Sequence, residues 1–144
     1  MATASRTITI NRPIADVFAF VSDGANATKW RSGVLDTAHV RGKGVGEQWS
    51  QGVKGPAGRR IPADYEITVF SPPNRMDFKA IAGPVRPTGS YRLGADSDNS
   101  TSLTFSVDAQ LGGLKALLMG AGVQKTMNSE MAALDKLKAV LEAG

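Results

Sequence analysis

The chain has no cysteine and a single histidine, His39, among its 144 residues. The first absence excludes disulfides, thiolate nucleophiles, iron–sulfur clusters and every cysteine-based zinc site. The second excludes a histidine-rich metal centre and leaves any serine triad dependent on His39 alone. Long apolar runs are missing as well. The longest uncharged stretches, Asn99–Val107 and Ala116–Gln124, are nine residues each, about half of the ~18 that a spanning helix requires. Charge is not run together either. Seventeen Lys plus Arg against 13 Asp plus Glu give +4, yet the only adjacent basic pair is Arg59-Arg60. A solvated, mildly basic surface is therefore expected, with no specific nucleic-acid partner. Met1–Pro13 shows no apolar signal-peptide core and turns polar at Arg6, so the expectation is a cytoplasmic chain without a transmembrane segment.

What is present is ordinary: 42% hydrophobic and 21% charged residues, the proportions of a globular chain. A chain of this length fits one domain, 1–144, and can bury roughly 70% of its unfolded surface.

Thr7-Ile8-Thr9-Ile10 alternates polar and β-branched apolar residues and predicts a strand. Pro13 and Asp16 suit the first turn of a helix. Ile14, Val17, Phe18 and Val21 follow at helical spacing. Asp23-Gly24 ends that helix, and a second short helix or turn spans Asn26 to Trp30. The period then changes to two, predicting strands near 34–41, 46–54, 60–70, 75–82, 87–94 and 101–108. They are separated by Gly-, Pro-, Asn- and Asp-rich turns. Ile61, Ala63, Tyr65, Ile67 and Val69 share one face; Leu103, Phe105 and Val107 share another. Short connections imply an antiparallel meander with one buried side. Finally Val123, Met127, Met131, Leu134, Leu137 and Leu141 form one helical stripe. Leu114, Leu117, Leu118 and Ala121 extend it backwards, and a bend or a close backbone approach is expected at Gly120-Ala121-Gly122.

The class is thus α+β: a seven-stranded antiparallel sheet, two short helices after the first strand, and a long C-terminal helix. One helix about 10 Å wide cannot fill the concavity of so large a twisted sheet. A cavity or a set of bulky side chains must occupy the remainder.

Gly42-Lys43-Gly44-Val45-Gly46-Glu47 superficially matches a dinucleotide loop, but Glu47 stands where the third glycine belongs and no helix follows. His39 is the one side chain whose unperturbed pKa lies near neutrality, which makes it a candidate general base. Its strand has no clear inward face, so solvent exposure is the stronger expectation. Trp49, Tyr65, Phe78, Tyr91 and Phe105 fall on the expected inner face, with Met119, Val123 and Met127 on the helix. These are candidate ligand-lining residues, equally suited to a filled core. Tyr65 and Tyr91 are the polar handles, because a buried phenol needs a hydrogen-bond partner.

The opening Ile8-Thr9-Ile10-Asn11-Arg12-Pro13-Ile14-Ala15-Asp16-Val17-Phe18, followed by Asp23 and Trp30, resembles the START-like superfamily with its helix-grip fold. Within it, the chain is similar to the polyketide cyclase/dehydrase-like (SRPBCC) group. Val45-Gly46, Phe70-Ser71-Pro72-Pro73-Asn74-Arg75 and Leu134–Glu142 match in the right order. The resemblance implies a sheet curved around the C-terminal helix and a pocket between them for a hydrophobic or aromatic molecule. It includes cyclases, lipid and quinone carriers, hormone-binding proteins and chaperone-interacting domains, with no shared catalytic set. By loose analogy with related enzymes an acidic or polar residue is expected at position 65, and the Tyr65 phenol departs from it. The leading expectation is a carrier or sensor of a small hydrophobic molecule, monomeric or homodimeric, needing no metal or cofactor. The alternatives are a cyclase/dehydratase-type enzyme in which His39 or Tyr65 moves a proton, and an interaction module using the basic surface toward protein, membrane or RNA.

Overall fold

The first strand is longer than its local signal, and its partner explains why. In the computed structural model, which describes residues 2–83, 85–109 and 113–143, β1 runs Ala2–Ile10. It pairs along its whole length with β8 (Ser100–Ala109), from Ala2 opposite Ala109 to Ile10 opposite Thr101. Non-local pairing thus extends a strand beyond the stretch that alternates.

Helix α1 (Ile14–Ser22) begins after Pro13 and buries Val17, Phe18 and Val21. A 3₁₀ turn at Gly24–Asn26 follows, with the Asp23 carboxylate accepting from the Ala25 amide, and then the four-residue α2 (Ala27–Trp30). The remaining strands are β2 (Val34–Arg41), β3 (Gln48–Lys54), β4 (Arg60–Pro62), β5 (Tyr65–Ser71), β6 (Arg75–Ala80) and β7 (Thr88–Ser97). Seven of the strands form one continuous antiparallel path in the order β1-β8-β7-β6-β5-β3-β2, and the three-residue β4 pairs with β3 beside it. The single strand expected over 60–70 is therefore two. Tight β-turn geometry at Gly42, Gly44 and Gly46, all at positive φ, closes the β2–β3 hairpin, a conformation that glycine adopts without a Cβ penalty.

The sheet curves around the C-terminal helices α3 (Gly113–Ala132) and α4 (Leu134–Ala143). Met127, Met131, Leu134 and Leu137 are buried as the stripe requires, and Leu141 packs at the core's margin. Gly120-Ala121-Gly122 does not interrupt the helix, since α3 is continuous through it. The break falls at Ala133 instead. There the Arg6 guanidinium donates to the Met131 carbonyl (3.1 Å) and to Asp135 Oδ1 (2.6 Å). The Met131 carbonyl would have accepted the Asp135 amide in an unbroken helix, so a side chain from β1 replaces the lost backbone bond. The side chains of Leu114, Leu117, Leu118 and Ala121 lie outside the described residues.

One inward face differs from the alternation. Ile67 pairs with Phe78, but Val69 pairs with Asp77 and Phe70 with Met76. The extra residue is a β-bulge, which turns Val69 away and brings Phe70 into the core, its ring 5.6 Å from that of Phe18.

Candidate functional site

The core holds a chain of aromatic rings laid across the strands. Tyr65 meets Phe78 (5.6 Å between centroids), Phe78 meets Tyr91 (6.1 Å), and Tyr91 stacks on Phe105 at 4.5 Å with 7° between the planes. Trp30 stands edge-on to both Tyr91 and Phe105, at 6.5 and 6.3 Å. The order follows from the ladder: Phe78 lies opposite Gly89, where a Cβ would overlap its ring, and Tyr91 lies opposite Phe105.

Between these rings and the Asp23–Arg31 segment lies a cavity of about 20 Å³, lined by Val21, Asp23, Gly24, Ala27, Trp30, Arg31, Tyr65, Met76, Phe78 and Tyr91. That is room for one or two waters. Gly24 sets its floor. A Cβ there would sit 2.5 Å from both the Trp49 ring and the Tyr65 hydroxyl oxygen, so only glycine allows the 3₁₀ turn to approach the sheet so closely.

The polar members of the site come from distant parts of the chain. At the end of α2, Arg31 meets Glu130 of α3 in a two-pronged ion pair, Nε–Oε2 at 2.8 Å and Nη2–Oε1 at 2.9 Å. Both side chains are largely buried, 13% and 16% exposed. Arg31 Nη1 also donates to Gln51 Oε1 (3.4 Å), and Gln51 donates in turn to the Ala63 carbonyl. Burial works against the guanidinium charge, but Glu130 outweighs it and holds the Arg31 pKa above its ordinary value. Tyr65 and Tyr91 both line the cavity, and among the described residues no fully buried side-chain oxygen or nitrogen lacks a partner.

Burial pushes the Tyr65 phenol up to about 12, against the attraction of the Arg31 charge. It raises Tyr91 further. These are the only two tyrosines in the chain, so an alkaline titration followed by phenolate absorbance reads the site alone. The folded state keeps its phenolic protons where an unfolded chain begins to lose them near pH 10. Stability is thus fully present below pH 10 and declines as pH rises toward 12. The expected result is little phenolate at pH 10 in the native protein, about half ionisation in denaturant, and a midpoint of unfolding that falls across this window. Native phenols that ionise near pH 10 would contradict the buried geometry.

The candidate residues divide clearly. Tyr65, Phe78 and Tyr91 line the cavity. Trp49 lies behind Gly24 with its indole N–H donated to Glu47, and Phe105 lies beneath Tyr91. Met127 is buried in the same core but does not line the cavity. The side chains of Met119 and Val123 lie outside the described residues. His39 is not brought to the site. It is exposed on β2, its Nε2 2.9 Å from the Gly42 carbonyl oxygen and its ring edge-on to Trp49. The residues that local patterning missed are Trp30, Arg31, Met76 and Glu130. The one local signal was Trp30-Arg31 closing a short helix, a large apolar ring followed by a charge.

A family model described as polyketide cyclase / dehydrase and lipid transport matches residues 1–142. The chain belongs to this family. The cyclase/dehydrase and lipid transport family therefore accounts for essentially the whole sequence. A comparison with curated proteins finds no sequence match. Among solved structures, the fold is similar to a START superfamily protein from Mycobacterium smegmatis, with TM-score 0.81, 13% identity and 99% of each chain covered. It is similar to the Zhui aromatase/cyclase from a Streptomyces species, with TM-score 0.73 and 14% identity over 99% of this chain and 97% of that one. It also overlays on the di-domain ARO/CYC BexL at TM-score 0.75 and 17% identity, all of this chain covering 48% of that one. At these identities the likeness is one of fold, and function is argued from the site. Among the described residues no helix is long and apolar enough to cross a membrane, and no cluster of potential metal ligands occurs.

Proposed function

We propose that this member of the family binds a small hydrophobic or aromatic molecule between the sheet and the helices, as a carrier or sensor. The observation that carries the reading is the pair of phenols, Tyr65 and Tyr91, at a cavity whose other walls are largely apolar. A phenol hydroxyl at such a cavity can hydrogen-bond to a ligand oxygen placed there. Apolar walls from Trp30, Met76 and Phe78 supply the contact area, and the two hydroxyls set orientation. At about 20 Å³ the cavity is too small for such a ligand. Binding at this cavity would therefore need the Asp23–Arg31 segment to move outward from the aromatic rings.

A second reading, a cyclase/dehydratase-type enzyme, is favoured by one feature of the same site. Two phenols stand near a guanidinium whose charge works against burial and favours their ionised form, so they can donate to a substrate carbonyl. Positioning a flexible polyketone against them would supply most of the rate. In that case Tyr65 or Tyr91 moves the proton, and His39, outside the cavity, does not.

Native mass spectrometry of the protein gently purified from its host cells tests the binding reading. The expected spectrum shows an adduct that is lost on unfolding, and Tyr91→Phe weakens its retention about 3- to 10-fold, the worth of one hydrogen bond. Adduct-free protein, or an adduct indifferent to Tyr91→Phe and Tyr65→Phe alike, would overturn it. Turnover of a linear polyketone that Tyr65→Phe abolishes while the adduct persists would decide for the enzyme.

A further inference from the structure

The sheet has two edges, and they are treated differently. Along β1 the Thr3 carbonyl accepts from Gln124 Nε2 (2.8 Å), the Thr9 carbonyl accepts from Lys138 Nζ (2.7 Å), and the Asn11 amide, just beyond the strand, donates to Glu142 (2.8 Å). The C-terminal helices thus occupy that edge. The opposite edge is β2, and among the described residues nothing but β3 hydrogen-bonds to its backbone from Leu35 to Arg41. Most of the strand is exposed. The large apolar side chains that stand exposed among the described residues all belong to this strand or its hairpin: Leu35 (46%), Val40 (55%) and Val45 (66%). Proteins ordinarily blunt a free edge with proline, lysine or other charges, with β-bulges or with a covering segment. Val34–Arg41 has no proline or lysine and no covering segment among the described residues, but it carries Asp36, Arg41 and two irregularities.

We propose that β2 is the docking edge for a second copy of this chain, the two β2 strands pairing antiparallel about a two-fold axis at Ala38. The register carries the argument. Asp36 lies opposite Gly52, Ala38 opposite Ser50 and Arg41 opposite Gln48. Positions 48, 50 and 52 alternate with Trp49 and Gln51, whose side chains are buried, so Asp36, Ala38 and Arg41 share the outer face. An irregularity between His39 and Arg41 inserts the residue that makes this so; without it Val40 would stand where Arg41 does. A two-fold axis through Ala38, a small residue, places Asp36 opposite Arg41 of the partner subunit and Arg41 opposite Asp36 of the partner subunit. The strand's charge pattern is therefore complementary to itself, as an isologous interface demands. Arg60 already holds Asp36 at 2.8 and 2.9 Å, but a carboxylate has about four acceptor sites. It can take a second guanidinium. Leu35 and Val40, at the two irregularities, flank the four-residue regular stretch between them.

Sedimentation velocity over a concentration series tests the proposal. The wild-type chain is expected to move from monomer toward dimer as concentration rises. Arg41→Glu and Asp36→Lys each bring like charges together and weaken the dimer at least ~10-fold. An equimolar mixture of the two variants restores a dimer, because both contacts in the mixed pair are again of opposite sign. Val40→Lys, which leaves the Arg60–Asp36 pair intact, is a second disrupting change should Asp36→Lys fail to fold. A wild-type monomer at every concentration, a dimer indifferent to Arg41→Glu and Val40→Lys, or a folded mixture that stays monomeric would each overturn it.

Discussion

Replacing Glu130 by alanine is expected to destabilise the protein by about 3–5 kcal/mol, with a fall in Tm on the order of 10 °C. The magnitude comes from what the change leaves behind. Arg31 stays in an apolar pocket with its charge intact, and only the carbonyl oxygen of the Gln51 side chain, at 3.4 Å, remains to receive it. Replacing both partners, Arg31→Met with Glu130→Leu, is expected to be near neutral, because it removes the desolvation of two ions along with their attraction. Urea denaturation of the two single variants and the double variant measures this directly. If Glu130→Ala costs less than ~1 kcal/mol, the pair behaves as a solvated surface pair, and the polar wall of the site is not built as described.

The second large effect is expected at Trp30. Trp30→Ala removes a ring that is 2% exposed and packed edge-on against Tyr91 and Phe105, and should cost about 3–5 kcal/mol. It also enlarges the cavity on the side facing Tyr91. A small aromatic probe such as indole should then recover part of the lost stability, whereas the wild-type cavity has no room for it. Trp49 would be the only remaining tryptophan, so the emission of the variant reports the Gly24 contact alone. A cost below ~1 kcal/mol would mean that Trp30 is not a packed member of the core. Stabilisation of the wild type by indole equal to that of the variant would mean that the cavity is already larger than the structure shows.

The two experiments divide the site along a useful line. Arg31–Glu130 joins α2 to α3 through charge, and Trp30 joins α2 to the sheet through packing. Adjacent residues of one short helix thus anchor the cavity's outer wall to both layers. If a ligand enters this cavity as proposed, these anchors must move, and ligand binding is then expected to be coupled to the local stability of Asp23–Arg31.

Much of the architecture was legible because it is written in local periods. Alternation along 7–10 and 101–108, helical spacing in Ile14–Val21 and Met127–Leu141, and turn chemistry at Gly42-Lys43-Gly44 each need only neighbouring residues to declare themselves. The inner placement of Tyr65, Phe78, Tyr91 and Phe105 followed from the same alternation. The expectation failed at Val69, where a single inserted residue inverted the face from that point on. At Gly120-Ala121-Gly122 the helix continues unbroken, and its break at Ala133, which no local signal announced, is held by a guanidinium from β1.

What the amino-acid sequence determined by itself is the class of chemistry and the order of elements. Without cysteine and with one histidine, the chain has no thiolate chemistry and a single imidazole, and its periodicities set strand, short helices, strands and long helix in that order. Tertiary structure alone decided that Arg31 meets Glu130, 99 positions away, that His39 stands on an open edge, and that two phenols face a cavity the size of one or two waters. The physical reason is range. Backbone propensity and burial pattern act over a few residues, whereas the partner of a charge and the volume left between two layers depend on where distant segments are brought by the whole packed sheet.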